Sequence, residues 1–220
     1  MKILAIDTSG QSTRWVGVEN GEIVDPVEKI ESRRHDAVMS IGIKDWLKQH
    51  QWQDMGAVAV VNGPGGYTGL RVGVAFASAL ASGLGLPIIP ISTYEAVAAR
   101  APGKTVWVLL PLRRGICRCR LMKGESFPEP LAEPEEFVVG KSEPPDVSPL
   151  LPLGDGYDLY KQEIDSLLVN KEIESFPDIL PSNEALGRVV WEAWQRGRTM
   201  EPVDIDVDYG AEFAPTLKSN

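Results

Sequence analysis

The sequence predicts a mixed α/β chain built as two related parts, and three observations carry that reading. Apolar runs of strand length alternate with segments of helical periodicity. The order βββαβαβα over residues 1–100 starts again, in weaker form, over residues 101–220. Glycine, proline and small polar residues sit where each element has to stop. With 220 residues, 43% of them hydrophobic and 24% charged, the chain can bury enough apolar surface to fold unaided.

Strands are expected at residues 2–7, 13–19 and 22–30, joined through Ser9-Gly10 and Asn20-Gly21 as two hairpins. Helical spacing runs from Arg34 to Gln49. The next strand, Gly56 to Val61, has no polar side and should be central in its sheet. After a glycine-rich turn, a long helix from Gly69 to Leu84 stops at Gly85, with Pro87 close behind, and leads into a strand from Pro87 to Ile91. Ser92-Thr93-Tyr94-Glu95 is a capping box, in which serine and glutamate satisfy each other's free backbone N–H groups and open another helix. The second part offers strands near 104–110, 115–122, 137–139 and 150–153. Helices near 157–169 and 182–196 follow, with a short strand at 171–174 between them. Where the first part has its helix of residues 34–49, the second has Glu125 to Pro152 with seven prolines, which lack the N–H and the free φ a helix requires.

A net charge of −9 and a pI near 4.8 oppose neutralisation of a phosphate backbone or an anionic membrane surface by this chain alone. The opening Met1 to Asp7 has too short an apolar run for a signal segment or a spanning helix, so a cytoplasmic protein without membrane attachment is expected. Cys117 and Cys119, two apart on a strand, face the same way and fit no metal-ligand spacing, which predicts inert thiols.

The segment Asn62 to Gly73 lies between a buried strand and a helix N-terminus, where free N–H groups suit an anion. Gly63, Gly65, Gly66, Thr68 and Arg71 are therefore a possible anion site. The alternative is a structural turn in which the glycines allow close approach and Thr68 caps the helix. Neither the Walker nor the dinucleotide-binding motif fits, since position 68 is threonine and no G-x-x-x-x-G-K-[ST] can be threaded. Arg71, a cation in the first helical turn, needs a carboxylate such as Asp7 or a bound anion beside it.

No metal set is expected: His35 and His50 are too few for a zinc or iron centre. Gly154-Asp155-Gly156 reads as an ordinary tight turn. Asp204 to Gly210 fails as a calcium loop, since Tyr209 and Pro215 stand where glycine and glutamate are required. Its alternation instead suggests a strand with Asp204, Asp206 and Asp208 on a solvated face.

The helix of residues 69–84 has no formal charge after Arg71, and carries two stripes. Val72, Phe76, Ala79, Leu80 and Gly83 suit packing on a sheet. Gly69, Gly73, Ala77, Ala81 and Gly85 form a ridge of small residues open to close approach by another helix. Met39, Ile43, Trp46 and Leu47 give the helix of residues 34–49 a second apolar stripe. Met39, Ile43, Trp46, Gly69, Gly73, Ala77 and Ala81 are accordingly the expected partner interface, with burial of the ridge under the chain's own helix as the alternative.

The tandem βββαβαβα order resembles the actin, hexokinase and Hsp70 superfamily, in which two ribonuclease-H-like lobes close over a nucleotide; the second lobe is reduced here. Gly63 to Phe76 resembles the G-P-G-S-F-T-G-L-R-[IV]-G-x-A-F signature of the TsaB (YeaZ) family. Ile3 to Ser9, Pro87 to Ser92 and Gly154-Asp155-Gly156 also look like that family's landmarks. This chain departs from the pattern at Gly66 and Tyr67, at Leu110 to Arg114, and at Pro202 to Tyr209. The resemblance implies a noncatalytic subunit that dimerises when alone and pairs with the paralogue TsaD. It would act with the ATPase TsaE and with threonylcarbamoyl-AMP made by TsaC to modify adenosine beside the tRNA anticodon. ATP, metal and tRNA then belong to the complex, and this chain binds no cofactor alone. The rival from the same superfamily is an ATP-dependent phosphotransferase, which would need a second phosphate turn and an acidic base.

Overall fold

The computed structural model describes residues 1–30, 35–50, 55–169, 171 and 179–210. The first of its two sheets contains β1 (Lys2–Asp7), β2 (Ser12–Glu19), β3 (Glu22–Ile30), β4 (Met55–Gly63) and β5 (Ile88–Ser92), in the order β3-β2-β1-β4-β5. The hairpins β1–β2 and β2–β3 are antiparallel, while β1, β4 and β5 run parallel. The Asn20-Gly21 turn takes φ of 53° and 92°, the left-handed conformation that tight hairpins need. Parallel pairing of β4 and β5 needs a crossover, which α2 (Tyr67–Leu84) supplies.

The sheet is covered on both faces, as the uniformly apolar β4 requires. One face, with Leu4, Ile6, Val58 and Val60, meets α2 and α1 (His35–Gln49). The other, with Ile3, Ala5, Ala57, Ala59 and Val61, meets α6 (Ser182–Gln195) through Ala185, Leu186, Val189, Val190 and Ala193. The Ser92 capping box opens α3 (Thr93–Ala98) as expected. Gly85 ends α2 at φ 65°, its N–H returned to Ala81 and Ser82.

The second sheet contains β6 (Thr105–Arg113), β7 (Ile116–Lys123), β8 (Glu129–Pro130), β9 (Glu135–Val138) and β10 (Leu151–Leu153), in the order β10-β6-β7-β8 with β9 also on β7. The proline-rich stretch supplies the short β8 and β9 and no helix, as its lost N–H groups dictate.

Several expectations are corrected. The helix near 157–169 is two pieces, α4 (Asp155–Leu159) and α5 (Lys161–Leu167), broken at Tyr160, whose hydroxyl accepts the Gly115 N–H at 2.7 Å. α6, far along the chain, returns to cover the first sheet with its apolar face. Asp204 to Asp208 is not a strand. Ile205 and Val207 do turn inward against the α1–α2 core and the three aspartates outward, but the backbone ties are isolated ones, such as the Asp208 N–H to Asn62. The strand expected at 171–174 falls largely outside the described residues, as does the side chain of His35. No helix is long and apolar enough to cross a membrane among the described residues.

Candidate functional site

The turn between β4 and α2 is packed from two sides. The Gly66 N–H donates to Ser9 O at 2.8 Å, and a Cβ on Gly65 would stand 2.5 Å from the same oxygen. Gly63, at φ 131°, lies against the backbone of Asp208, where any side chain would collide. The glycines thus let the turn fit between the β1–β2 turn and the C-terminal segment. Thr68 does not cap α2: the N-cap is Gly66, and no side chain takes the cap bond. Arg71 is exposed and donates to the Tyr67 hydroxyl at 2.6 Å, with Tyr67 stacked on Tyr209. Its expected compensation by Asp7 is not observed, because Asp7 lies at the end of β1 and is engaged by other groups.

Asp7 is buried. One oxygen accepts from the Ser9 N–H at 2.9 Å and hydroxyl at 2.7 Å; the other accepts from Arg14 Nη1 at 3.0 Å. Arg14 also donates to Glu28 at 2.9 Å. The β1–β2 register sets Asp7 opposite Arg14. The pairing was therefore legible in the sequence, as opposite charges symmetric about Gly10-Gln11.

Between the sheets lies a cavity of about 230 Å³, bounded by the β1–β2 turn, Gly65-Gly66, α3, the end of β6, Asp155 and the start of α6. Asp155 reaches across to the β1–β2 turn, where a Cβ on Gly10 would meet its carboxylate at 2.5 Å and the Gln11 N–H donates to it. Burial raises its carboxyl above the usual range, against the pull of Arg14. Arg100, on the same cavity, donates from Nε to Leu180 O at 3.3 Å, its one side-chain hydrogen bond among the described residues. No local sequence signal marks Arg100, because Leu180 is 80 residues away and only the return of α6 brings them together.

The expected partner interface is corrected. Met39, Ile43 and Trp46 are buried in the core under the first sheet, together with Ala77 and Ala81. Gly69 and Gly73 are buried against Thr8: its hydroxyl donates to Gly69 O at 2.7 Å, and a methyl on Gly73 would collide with the hydroxyl oxygen. The small ridge thus brings α2 close to the sheet, where the larger stripe would not fit. Val72, Phe76 and Leu80 flank the core, and the face left to solvent is Ala75, Ala79, Ser82 and Gly83. On α1 the exposed apolar residue is Ile41, 65% exposed.

Both cysteines are free and buried in the core of the second sheet, and burial pushes Cys117 up to about 11 and Cys119 up to about 12. His50 stacks on Trp46 and meets Asp25 at 3.1 Å. Among the described residues no three His, Cys, Asp or Glu gather as a metal set.

The TsaD family, tRNA N6-adenosine threonylcarbamoyltransferase, matches residues 26–111, a stretch containing α1, the glycine turn and α2. The tRNA threonylcarbamoyladenosine biosynthesis protein TsaB of Bacillus subtilis is 32% identical over 101 residues, 45% of this chain and 44% of that protein. TsaB of Escherichia coli is 34% identical over 103 residues, 46% of this chain and 44% of that protein. The match thus spans less than half the length of each of these two relatives. YeaZ from Pseudomonas aeruginosa shares the fold, with a TM-score of 0.77 at 19% identity over 94% of this chain and 99% of that one. The resemblance to the TsaB (YeaZ) family carried by the Gly63 to Phe76 motif is borne out by these matches.

Proposed function

We propose that this chain, similar to TsaB in sequence and to YeaZ in fold, is a noncatalytic scaffold and dimerisation subunit of a tRNA threonylcarbamoyladenosine-modifying complex. It supports a TsaD-like transferase, works beside a TsaE-like ATPase, and meets tRNA only within that complex, in the cytoplasm. The two sheets are the cores of two ribonuclease-H-like lobes, the second reduced, with α6 returning to the first.

The observation that carries the noncatalytic reading is the state of Asp7. This carboxylate stands where an active relative would meet metal-bound nucleotide, yet its oxygens are taken by Arg14 and Ser9. Asp155, the other carboxylate on the cleft, lies against the Gly10-Gln11 turn. A metal ion would have to displace an arginine from a buried ion pair, so the residues present do not fit a metal-nucleotide complex. ATP and metal belong to the partner, and the ATP-dependent phosphotransferase reading is not favoured.

Partner contact falls to the exposed faces of the first-lobe helices. α2 offers a small, uncharged surface at Ala75, Ala79 and Gly83, through which another helix can approach closely. The same surface makes the homodimer when the partner is absent.

The test combines assembly and turnover. The purified chain should hydrolyse ATP at the buffer background and co-elute with the TsaD-like partner. Ala79→Glu should melt like the parent yet lose about tenfold or more in partner affinity, because a carboxylate is desolvated at the contact. Metal-dependent ATP turnover by the chain alone, abolished in Asp7→Ala, would overturn the noncatalytic reading. Undiminished partner binding by Ala79→Glu would overturn the interface.

A further inference from the structure

The cavity between the sheets has a charge distribution that a structural void does not require. Arg100 lines it, half-buried, and beyond the Nε contact with Leu180 O its guanidinium makes no hydrogen bond or ion pair with any described residue. Burial, and then the neighbouring cation Arg14, lower its pKa, while Asp158, Asp155 and Glu28 pull it back up without a hydrogen bond to it. A guanidinium withdrawn from water is normally paired in a planar fork with a carboxylate or phosphate. No described carboxylate forms such a fork with Arg100.

The cavity is also lined by two carboxylates, Asp7, which is paired with Arg14, and Asp155, and by the apolar side chains of Ala96, Val97, Leu110 and Leu186. Thr93, 5% exposed, also lines it, and its hydroxyl has no partner among the described residues. Such a space, of about 230 Å³, suits a small molecule with a carboxylate at one end and a hydrogen-bond donor at the other. A polyphosphate would set its charges against the carboxylates of Asp7 and Asp155.

We propose that the inter-sheet cavity binds a small amino-carboxylate, its carboxylate held by Arg100 and its ammonium directed to Asp155. This site is separate from the helix faces assigned to partner contact and stands whether or not the scaffold reading does. A ligand there bridges the sheets, since Arg100 follows α3 and Asp155 begins α4, and so stabilises their closed arrangement.

The experiment titrates the full chain with each of the twenty free amino acids, with acetate and with ATP–Mg²⁺, following the melting temperature and then isothermal calorimetry. At least one amino acid should give a saturable upward shift, with acetate and ATP–Mg²⁺ weaker. Arg100→Gln should fold as well as the parent, since it removes a half-buried charge, and should bind about tenfold or more weakly. Arg100→Lys keeps the charge without the fork, should also bind more weakly, and serves if the glutamine variant does not fold. No shift with any amino acid, binding unchanged in both variants, or tighter binding of ATP–Mg²⁺ or acetate than of any amino acid would overturn the proposal.

Discussion

Gly73→Ala tests the seating of α2 on the first sheet. In an isolated helix the change favours folding by about 1 kcal/mol, since glycine is the costlier helical residue. Here the added methyl meets the Oγ1 of Thr8, which is fully buried and donates to Gly69 O at 2.7 Å. Overpacking at such a site costs about 1–3 kcal/mol, and turning the threonine away forfeits a buried hydrogen bond of about 1 kcal/mol. The contact terms win, leaving a net loss of about 1–3 kcal/mol, or roughly 3–10 °C in melting temperature at this size. Thr8→Ala removes the colliding oxygen, leaving the Thr8 Cβ, 3.4 Å from the new methyl, as the nearest atom. The double variant should therefore be more stable than the sum of the singles by about 1 kcal/mol or more, measured by urea unfolding as a double-mutant cycle. A Gly73→Ala protein that melts at or above the parent would show that this ridge is not pressed on Thr8, and would return it to the partner interface.

Asp155 gives a pH test. Its carboxyl is raised chiefly by burial, so the stability it contributes is present below its ordinary pKa and lost as pH rises through the folded value. Asp155→Asn, which cannot ionise, should match or exceed the parent's melting temperature at neutral pH, and the gap should close in acid; a gap that widens in acid would contradict this. Cys117 and Cys119, with thiols at about 11 and about 12, should react with Ellman's reagent about a hundredfold or more slowly than an ordinary thiol until urea unfolds the chain; prompt labelling of the native protein would refute their burial. Binding of tRNA by the chain alone should be weaker than about 1 µM in a gel shift at moderate salt, because a net charge of −9 opposes counterion release. Tighter binding would point to the Arg113-Arg114 turn.

The first sheet was legible because each of its elements carries a local signal. Asn20-Gly21 sets a hairpin, Ser92 and Glu95 cap a helix, and Gly85 ends one. The second sheet was harder: β8 is two residues long, and β9 and β10 are four and three, too short for alternation to declare itself. The site divides along the same line. Asp7 and Arg14 are seven residues apart across one turn and can be paired on paper, whereas Arg100 acquires its surroundings from α6 and Asp155, neither of which its neighbours in sequence announce. Asp204 to Asp208 shows the limit of periodicity. Alternation correctly sorted Ile205 and Val207 from the acids, but it could not say whether a ladder would form beneath them.

The misplacement of the α2 ridge follows from what a stripe of small residues encodes. Small side chains permit close approach without naming what approaches, and a helix and a sheet surface are equally served. What decides is the neighbouring surface. Thr8 projects from the end of β1 directly at Gly69 and Gly73, so the sheet already occupies the groove they leave. The excess of apolar surface on α2 remains, turned to a different side. With the ridge spent on the sheet, and Val72, Phe76 and Leu80 resting against the core's rim, Ala75, Ala79 and Gly83 still face water without a charge among them. A helix that served only its own core would carry charged residues there. α2 thus keeps a second uncharged surface on the side away from the ridge, and Ala79, not Ala77, is the position at which a charge separates assembly from folding.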